Sequence, residues 1–132
     1  MMPIEARRLD QKTDNRGRVF EVLRREHVPE GRFGQVYVFT GSPGSVKGNH
    51  YHARKTEWFC VISGQGELIL CDRESLHREC IMLTGDRPVV VTIPAGVAHA
   101  IRTVSDTEMI VLAYITEPYA PQDPDTFPFS LA

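Results

Sequence analysis

Apolar and polar residues alternate at every second position along most of this chain, and turn signals interrupt the alternation about every 10 residues. No other feature constrains the fold as tightly. The runs Val19–Leu23, Gln35–Thr40, Val46–His52, Glu57–Ile62, Glu67–Asp72, Arg78–Leu83, Val89–Ile93, His99–Val104 and Glu108–Ile115 carry this period, which marks short strands. Between them stand Asp14-Asn15-Arg16-Gly17, Gly41-Ser42-Pro43-Gly44, Ser63-Gly64-Gln65-Gly66, Thr84-Gly85-Asp86 and Pro94-Ala95-Gly96, all combinations that reverse a chain. No stretch holds a capped 3.6-residue apolar stripe, although Val22–His27 suits a helical turn. This pattern predicts an all-β sandwich or barrel. With 132 residues, one domain accounts for the whole chain. Its barrel core is expected from about residue 17 to 116. Pro118–Pro128 hold four of the nine prolines and read as an extended surface tail.

Two runs break the one-faced rule. Trp58, Cys60 and Ile62 alternate with the equally apolar Phe59 and Val61, and Met109–Ile115 is apolar almost throughout. A sandwich strand with one solvated face should be polar on that side. A second copy of the chain, forming a homodimer, is the expected cover; the chain's own tail is the alternative.

Charge and cysteine content exclude several classes. Fifteen Lys and Arg against 17 Asp and Glu leave a net charge of −2, so there is no basic excess for nucleic acid. The longest apolar runs fall far short of the roughly 18 residues of a membrane span, and Met1–Arg8 lacks the apolar centre of a signal peptide. Cys60, Cys71 and Cys80 are odd in number and contain no Cys-x-x-Cys, which argues against a disulfide framework or a thiolate zinc site. Cys60 and Cys71 read as buried, inert thiols. A cytoplasmic protein is expected.

The chemistry gathers in a pattern from Gly44 to Gly64: Gly44, five residues, His50-Tyr51-His52, four residues, Glu57, six residues, Gly64. Two histidines two apart on a strand project from the same face. An antiparallel return would bring Glu57 beside them. A third histidine, His99, follows the turn Pro94-Ala95-Gly96. Imidazole with carboxylate suits Zn²⁺, Fe²⁺, Mn²⁺, Ni²⁺ or Cu²⁺. His27 and His77 belong to no such pattern and read as surface residues.

At these residues the sequence resembles the cupins, a β-barrel superfamily whose first motif matches here throughout. The second motif matches only at its centre, Pro94-Ala95-Gly96-Val97-Ala98-His99; Pro88 stands in place of its leading Gly and Thr103 in place of its closing Asn. A narrower likeness runs from about Gly17 to Phe127 through Gly17-Arg18-Val19-Phe20-Glu21, Gly48-Asn49-His50-Tyr51-His52, Lys55-Thr56-Glu57, Val61-Ile62-Ser63-Gly64, Asp106-Thr107-Glu108 and Pro124-Asp125-Thr126-Phe127. This string is similar to the C-terminal, RmlC-like cupin domain of bifunctional capsular-polysaccharide enzymes, which epimerise and then reduce a UDP-linked 4-keto-6-deoxy-N-acetylhexosamine. The resemblance implies a zinc cupin in a double-stranded β-helix, or jelly roll, that epimerises C3. No Gly-x-Gly-x-x-Gly follows any strand, so no nicotinamide site is assigned and a separate reductase is the expected partner.

Removing a proton beside a ketone demands stabilisation of the enolate, which a Lewis-acid cation supplies. His52, Glu57 and His99 are the first expected ligands of one divalent metal, zinc foremost, with iron, manganese or nickel as alternatives. His50 is either a fourth ligand or a base. Epimerisation needs a proton carrier on each face of the sugar, and His50, Tyr37, Tyr51, Lys55 and Tyr114 are the candidates. Arg54 and Arg102 are the candidates for pairing with a substrate diphosphate. Three classes stay open: a nucleotide-sugar epimerase or ketoisomerase, an Fe²⁺ oxygenase built on two histidines and a carboxylate, and a sugar-sensing cupin without turnover.

Overall fold

In the computed structural model, which describes residues 2–29 and 33–132, the alternating runs become two facing five-stranded antiparallel sheets. The first has the order β1 (Glu5–Arg8), β9 (Val89–Ile93), β6 (Glu57–Ser63), β11 (Met109–Ile115), β4 (Gln35–Gly41). The second has the order β12 (Phe127–Pro128), β5 (Val46–Tyr51), β10 (Val97–Thr103), β7 (Gln65–Asp72), β8 (Arg78–Thr84). A separate hairpin pairs β2 (Lys12–Asp14) with β3 (Gly17–Val19). From β4 onward nearly every connection crosses from one sheet to the other, the path of a jelly roll. No helix among the described residues is long and apolar enough to cross a membrane.

The core lies between the sheets. Phe59 and Val61 of β6, Leu68 and Leu70 of β7, Val91 and Ile93 of β9, Ile101 of β10 and Val111 and Ala113 of β11 form one buried cluster. Strand alternation then turns Trp58, Cys60, Val90 and Tyr114 outward, where Leu9, Phe20, Val22, Leu23 and Val28 cover them. The outer face of the second sheet is treated the same way: Ile69, Cys71, Ala98 and Ala100 meet Leu131 and Phe129. The two-sided apolar strands are thus covered in part by the chain itself, by an N-terminal segment on one sheet and by the C-terminal tail on the other. Val36 and Val38 of β4 and the neighbouring Phe33 stay exposed, at 54%, 57% and 77%. Cys60 and Cys71 are buried and Cys80 is exposed, all three with free thiols; burial pushes the Cys60 thiol up to about 11.

Several expected boundaries move. The run Val19–Leu23 is not a strand: β3 ends at Val19. Phe20, Val22 and Leu23 spend their side chains on covering Trp58 and Cys60, so their backbone leaves the sheet. Arg25–His27 form a single 3₁₀ turn inside Val22–His27. The first sheet begins earlier than residue 17, because β1 pairs with β9 from Glu5 to Arg8. The proline-rich tail returns to the sheet at Phe127–Pro128, opposite Tyr51 and His50.

One irregularity decides where β5 points its side chains. In its pairing with β10, His50 faces His99 but Gly48 already faces Ala100, leaving Asn49 as the extra residue of a β-bulge. Gly48 has φ 95° and Asn49 φ 58°, the left-handed region that glycine and asparagine tolerate best. Lys47 and His50 are an odd number of residues apart, so an unbroken strand would turn them to opposite faces. With the bulge both line the interior cavity. The Asn49 side chain also secures the tail, accepting N–H bonds from Leu131 and Ala132 and donating to the Ala132 carbonyl.

The bulge can be tested against a second left-handed glycine. A Cβ on Gly48 would lie 2.8 Å from the His99 carbonyl oxygen, whereas one on Gly44, at φ 82°, meets nothing within 4 Å among the described residues. Gly44→Ala should therefore cost only the backbone penalty of about 1 kcal/mol. Gly48→Ala adds a clash with the strand that carries His99 and should cost about 2–3 kcal/mol. Urea denaturation of both variants measures the difference.

Candidate metal centre

The site stands at one mouth of the barrel, where three strands end together. Glu57 opens β6 on the same face as Phe59 and Val61, so the inward stripe ends in a carboxylate that is 2% exposed. β10 carries His99 on its inward face, in register with His50 of β5. His52 lies just beyond β5, and its carbonyl accepts a 2.6 Å bond from the Gly96 N–H, tying the first histidine pair to the turn that precedes His99. One ligand atom from each of His50, His52, Glu57 and His99 lies within 4.8 Å of the others.

Hydrogen bonding leaves the centre short of positive charge. His52 Nδ1 is 2.7 Å from the Asp125 carbonyl oxygen, and His99 Nδ1 is 3.1 Å from that of Val97. A carbonyl only accepts, so both rings carry a proton on Nδ1 and turn Nε2 inward, where it is a lone pair whenever the ring is neutral. Those two Nε2 atoms face the same oxygen, Glu57 Oε1, at 2.9 and 3.2 Å, while Tyr37 donates its hydroxyl to Oε2. Among the described residues, the buried His99 Nε2 finds no hydrogen-bond partner. Two lone pairs aimed at a carboxylate repel unless a proton or a cation lies among them. Three imidazole nitrogens and one carboxylate oxygen gathered this closely form a donor set of the kind that holds a divalent transition metal. The residues fit the group.

The titration shifts follow from the same contacts. Burial, with the neighbouring His99 and His52 rings, lowers His50 to about 4 against the pull of Glu57, so its imidazole is neutral at neutral pH. Burial alone would raise Glu57, but the facing imidazoles and the Tyr37 hydroxyl hold it well below the usual carboxylate range. Burial also lowers His52, and Glu57 more than reverses this, so His52 ends raised. Burial and the Glu57 charge both push the Tyr37 phenol up.

Two chambers flank the cluster and share His50 and Tyr37 as walls. One, of about 300 Å³, is lined by Phe39, Phe59, Ile101 and His99, with Lys47 at its opening. The other, of about 250 Å³, is polar and holds Gln35, His52, Lys55, Glu57, Glu117 and Thr126. Lys55 is 3% exposed and donates through Nζ to the Pro124 carbonyl at 3.2 Å.

Of the residues expected at the site, His50, His52, Glu57, His99, Tyr37 and Lys55 come together. Arg54 is half-exposed, its guanidinium 3.1 Å from both Asp123 and Glu117, the latter a wall of the polar chamber. Three others are not brought to the cluster. Tyr51 faces outward, stacked on Phe127 with the Arg73 guanidinium 3.8 Å from its ring centre. Tyr114 packs on Trp58 outside the first sheet and accepts the Gly34 N–H. Arg102 alternates away from His99 and pairs with Glu67 at 3.2 Å. Sequence reasoning missed Asp125, whose segment Pro124–Phe127 stood out only as part of the family string.

A jelly roll with three imidazoles and a carboxylate converging at one mouth defines an RmlC-like cupin. Residues 12–127 match the polysaccharide biosynthesis C-terminal domain, and the chain belongs to that family. It is 28% identical over 127 residues to the spore coat polysaccharide biosynthesis protein SpsL of Bacillus subtilis, covering 92% of this chain and 84% of that protein. It is 30% identical over 119 residues to the UDP-2-acetamido-2,6-beta-L-arabino-hexul-4-ose reductase of Pseudomonas aeruginosa, covering 90% of this chain and 31% of the reductase. Among solved structures it matches the capsular polysaccharide assembling protein CapF of Staphylococcus aureus with a TM-score of 0.74 and 33% identity, over 93% of this chain and 34% of CapF. The chain thus spans about a third of the length of the last two. More distant dTDP-sugar epimerases and isomerases, at 19–22% identity and TM-scores of 0.82–0.85, share the fold.

Glu57→Gln keeps the side chain's volume and removes its charge. Zn²⁺ affinity should fall on the order of 100-fold or more, as read by chelator competition. His27, whose Nδ1 accepts the Arg24 N–H, and His77 lie elsewhere; His27→Gln and His77→Gln should leave the affinity unchanged.

Proposed function

We propose that this chain epimerises or isomerises a nucleotide-linked 4-keto-6-deoxy sugar at C3, in polysaccharide or deoxysugar biosynthesis, with one divalent metal, zinc foremost. The observation that carries this reading is the set of imidazole nitrogens turned onto one buried carboxylate, beside a chamber of about 250 Å³. Family membership supports it, as does the fold shared with dTDP-sugar epimerases.

When bound, the cation supplies a Lewis acid that polarises the C4 ketone and makes the C3–H acidic. The chain's own residues then handle protons. His50, neutral at neutral pH and lining both chambers, serves as a ligand or as the base that takes the C3 proton. Tyr37 and Lys55 stand on the walls of the polar chamber and are the carriers that return a proton to C3. Delivery to the opposite face of the enolate gives the C3 epimer. Arg54, half-exposed beside Glu117, pairs with the substrate diphosphate.

The product passes to a separate reductase. The three free cysteines accord with a reducing, cytoplasmic setting. The exposed Val36, Val38 and Phe33 form the face on which a second copy docks.

Two measurements test these readings. A UDP- or dTDP-4-keto-6-deoxyhexose incubated with the metallated protein in D₂O should gain deuterium at C3 without any reductase, because enolate formation precedes the trapping step. Chelation and His52→Ala should each abolish the gain. Fully metallated protein that exchanges no 4-keto sugar nucleotide overturns the epimerase reading, and oxygen consumption then separates an oxygenase from a sensor. Light scattering at micromolar concentration should give twice the 14.9 kDa of the chain; a monomeric mass overturns the dimer.

A further inference from the structure

Asp125 is remote in sequence from every metal-ligand candidate, yet it touches two functional parts of the site. It is 2% exposed and adopts φ 48°, a left-handed conformation that asparagine and aspartate accept more readily than other side-chain-bearing residues. Its carboxylate accepts three backbone N–H bonds from the turn between the histidine pair and Glu57: from Ala53 at 3.0 Å, Arg54 at 2.9 Å and Lys55 at 3.3 Å. Its own carbonyl receives His52 Nδ1–H at 2.7 Å. The preceding residue, Pro124, accepts the Lys55 ammonium, and the following one, Thr126, lines the polar chamber.

A buried charged acceptor of three N–H groups holds a turn more firmly than neutral bonds would. With the turn captured, the Asp125 carbonyl is placed against one nitrogen of one ring. We propose that Asp125 is the positioning residue of the centre: it fixes His52 as the Nδ1–H tautomer, which presents the Nε2 lone pair to the cation, and it holds Lys55 in the polar chamber. This rests on the metal reading above. Partners that orient a ligand imidazole through its second nitrogen typically change metal affinity 10- to 100-fold.

The test uses the metal-free protein, Zn²⁺ with a competing chelator, and ¹⁵N spectra of His52. In wild type the ¹⁵N shifts should report the Nδ1–H tautomer before any metal is added. Asp125→Ala should erase that preference and weaken Zn²⁺ binding about 10- to 100-fold. Asp125→Asn retains the shape and loses one N–H acceptor, so it should fold and weaken binding about fivefold. Asp123→Asn, at the surface, should change neither. A role confined to stability would lower the melting temperature and leave tautomer and affinity alone; that result in Asp125→Asn overturns the inference. If wild type binds no Zn²⁺, the metal reading fails, and the tautomer of His52 in the two Asp125 variants still decides the role of Asp125.

Discussion

Glu57 is a carboxylate set at the end of an apolar strand face, and a charge buried there persists only if the surroundings compensate it. What converges on it either donates a proton or can hold a cation beside it. Tyr37 donates to one oxygen, and two imidazole nitrogens face the other. When neutral, those imidazoles bring lone pairs, because their second nitrogens are already committed to the carbonyls of Asp125 and Val97. The geometry is therefore complete as a ligand set and incomplete as a hydrogen-bond network.

Holding four donors this close requires rigid elements with the right parity. β6 and β10 contribute one inward position each, at matching heights of facing sheets. β5 does so only because the Gly48–Asn49 bulge re-phases it. The bulge also ties the site to the far end of the chain, since Asn49 bonds the backbone of Leu131 and Ala132. The tail that follows β11 is thus part of the scaffold: it seals the outer face of the second sheet through Leu131 and Phe129 and supplies Asp125 to the site. N-terminal residues do the corresponding work on the first sheet, and Val36 and Val38 are what they leave uncovered.

Alternation alone located most strands and, with the spacing from Gly44 to Gly64 and the Pro-x-Gly turn, all four members of the donor set. It also held information that a search by residue type passed over. The period that turns His50 and His52 inward turns Tyr51 outward, and the period that turns His99 inward does the same to Arg102. Tyr114 is a different case: whether Tyr114 or Ile115 stands beside Glu57 depends on the register of β11 against β6, where Ile115 pairs with Glu57 and Tyr114 with Trp58. Periodicity cannot give the register between strands some fifty residues apart.

By itself, then, the sequence determined the class of fold, the shared face of His50 and His52, and the chemical character of the donor set, because each depends on the identity and spacing of neighbours along the chain. Tertiary structure alone decided which rings carry protons on Nδ1, which apolar faces the termini cover, and that Asp125 captures the turn between His52 and Glu57. Those outcomes depend on where segments far apart in the chain meet. Hydrogen-bond partners and burial are properties of that meeting, not of any residue's neighbours in sequence.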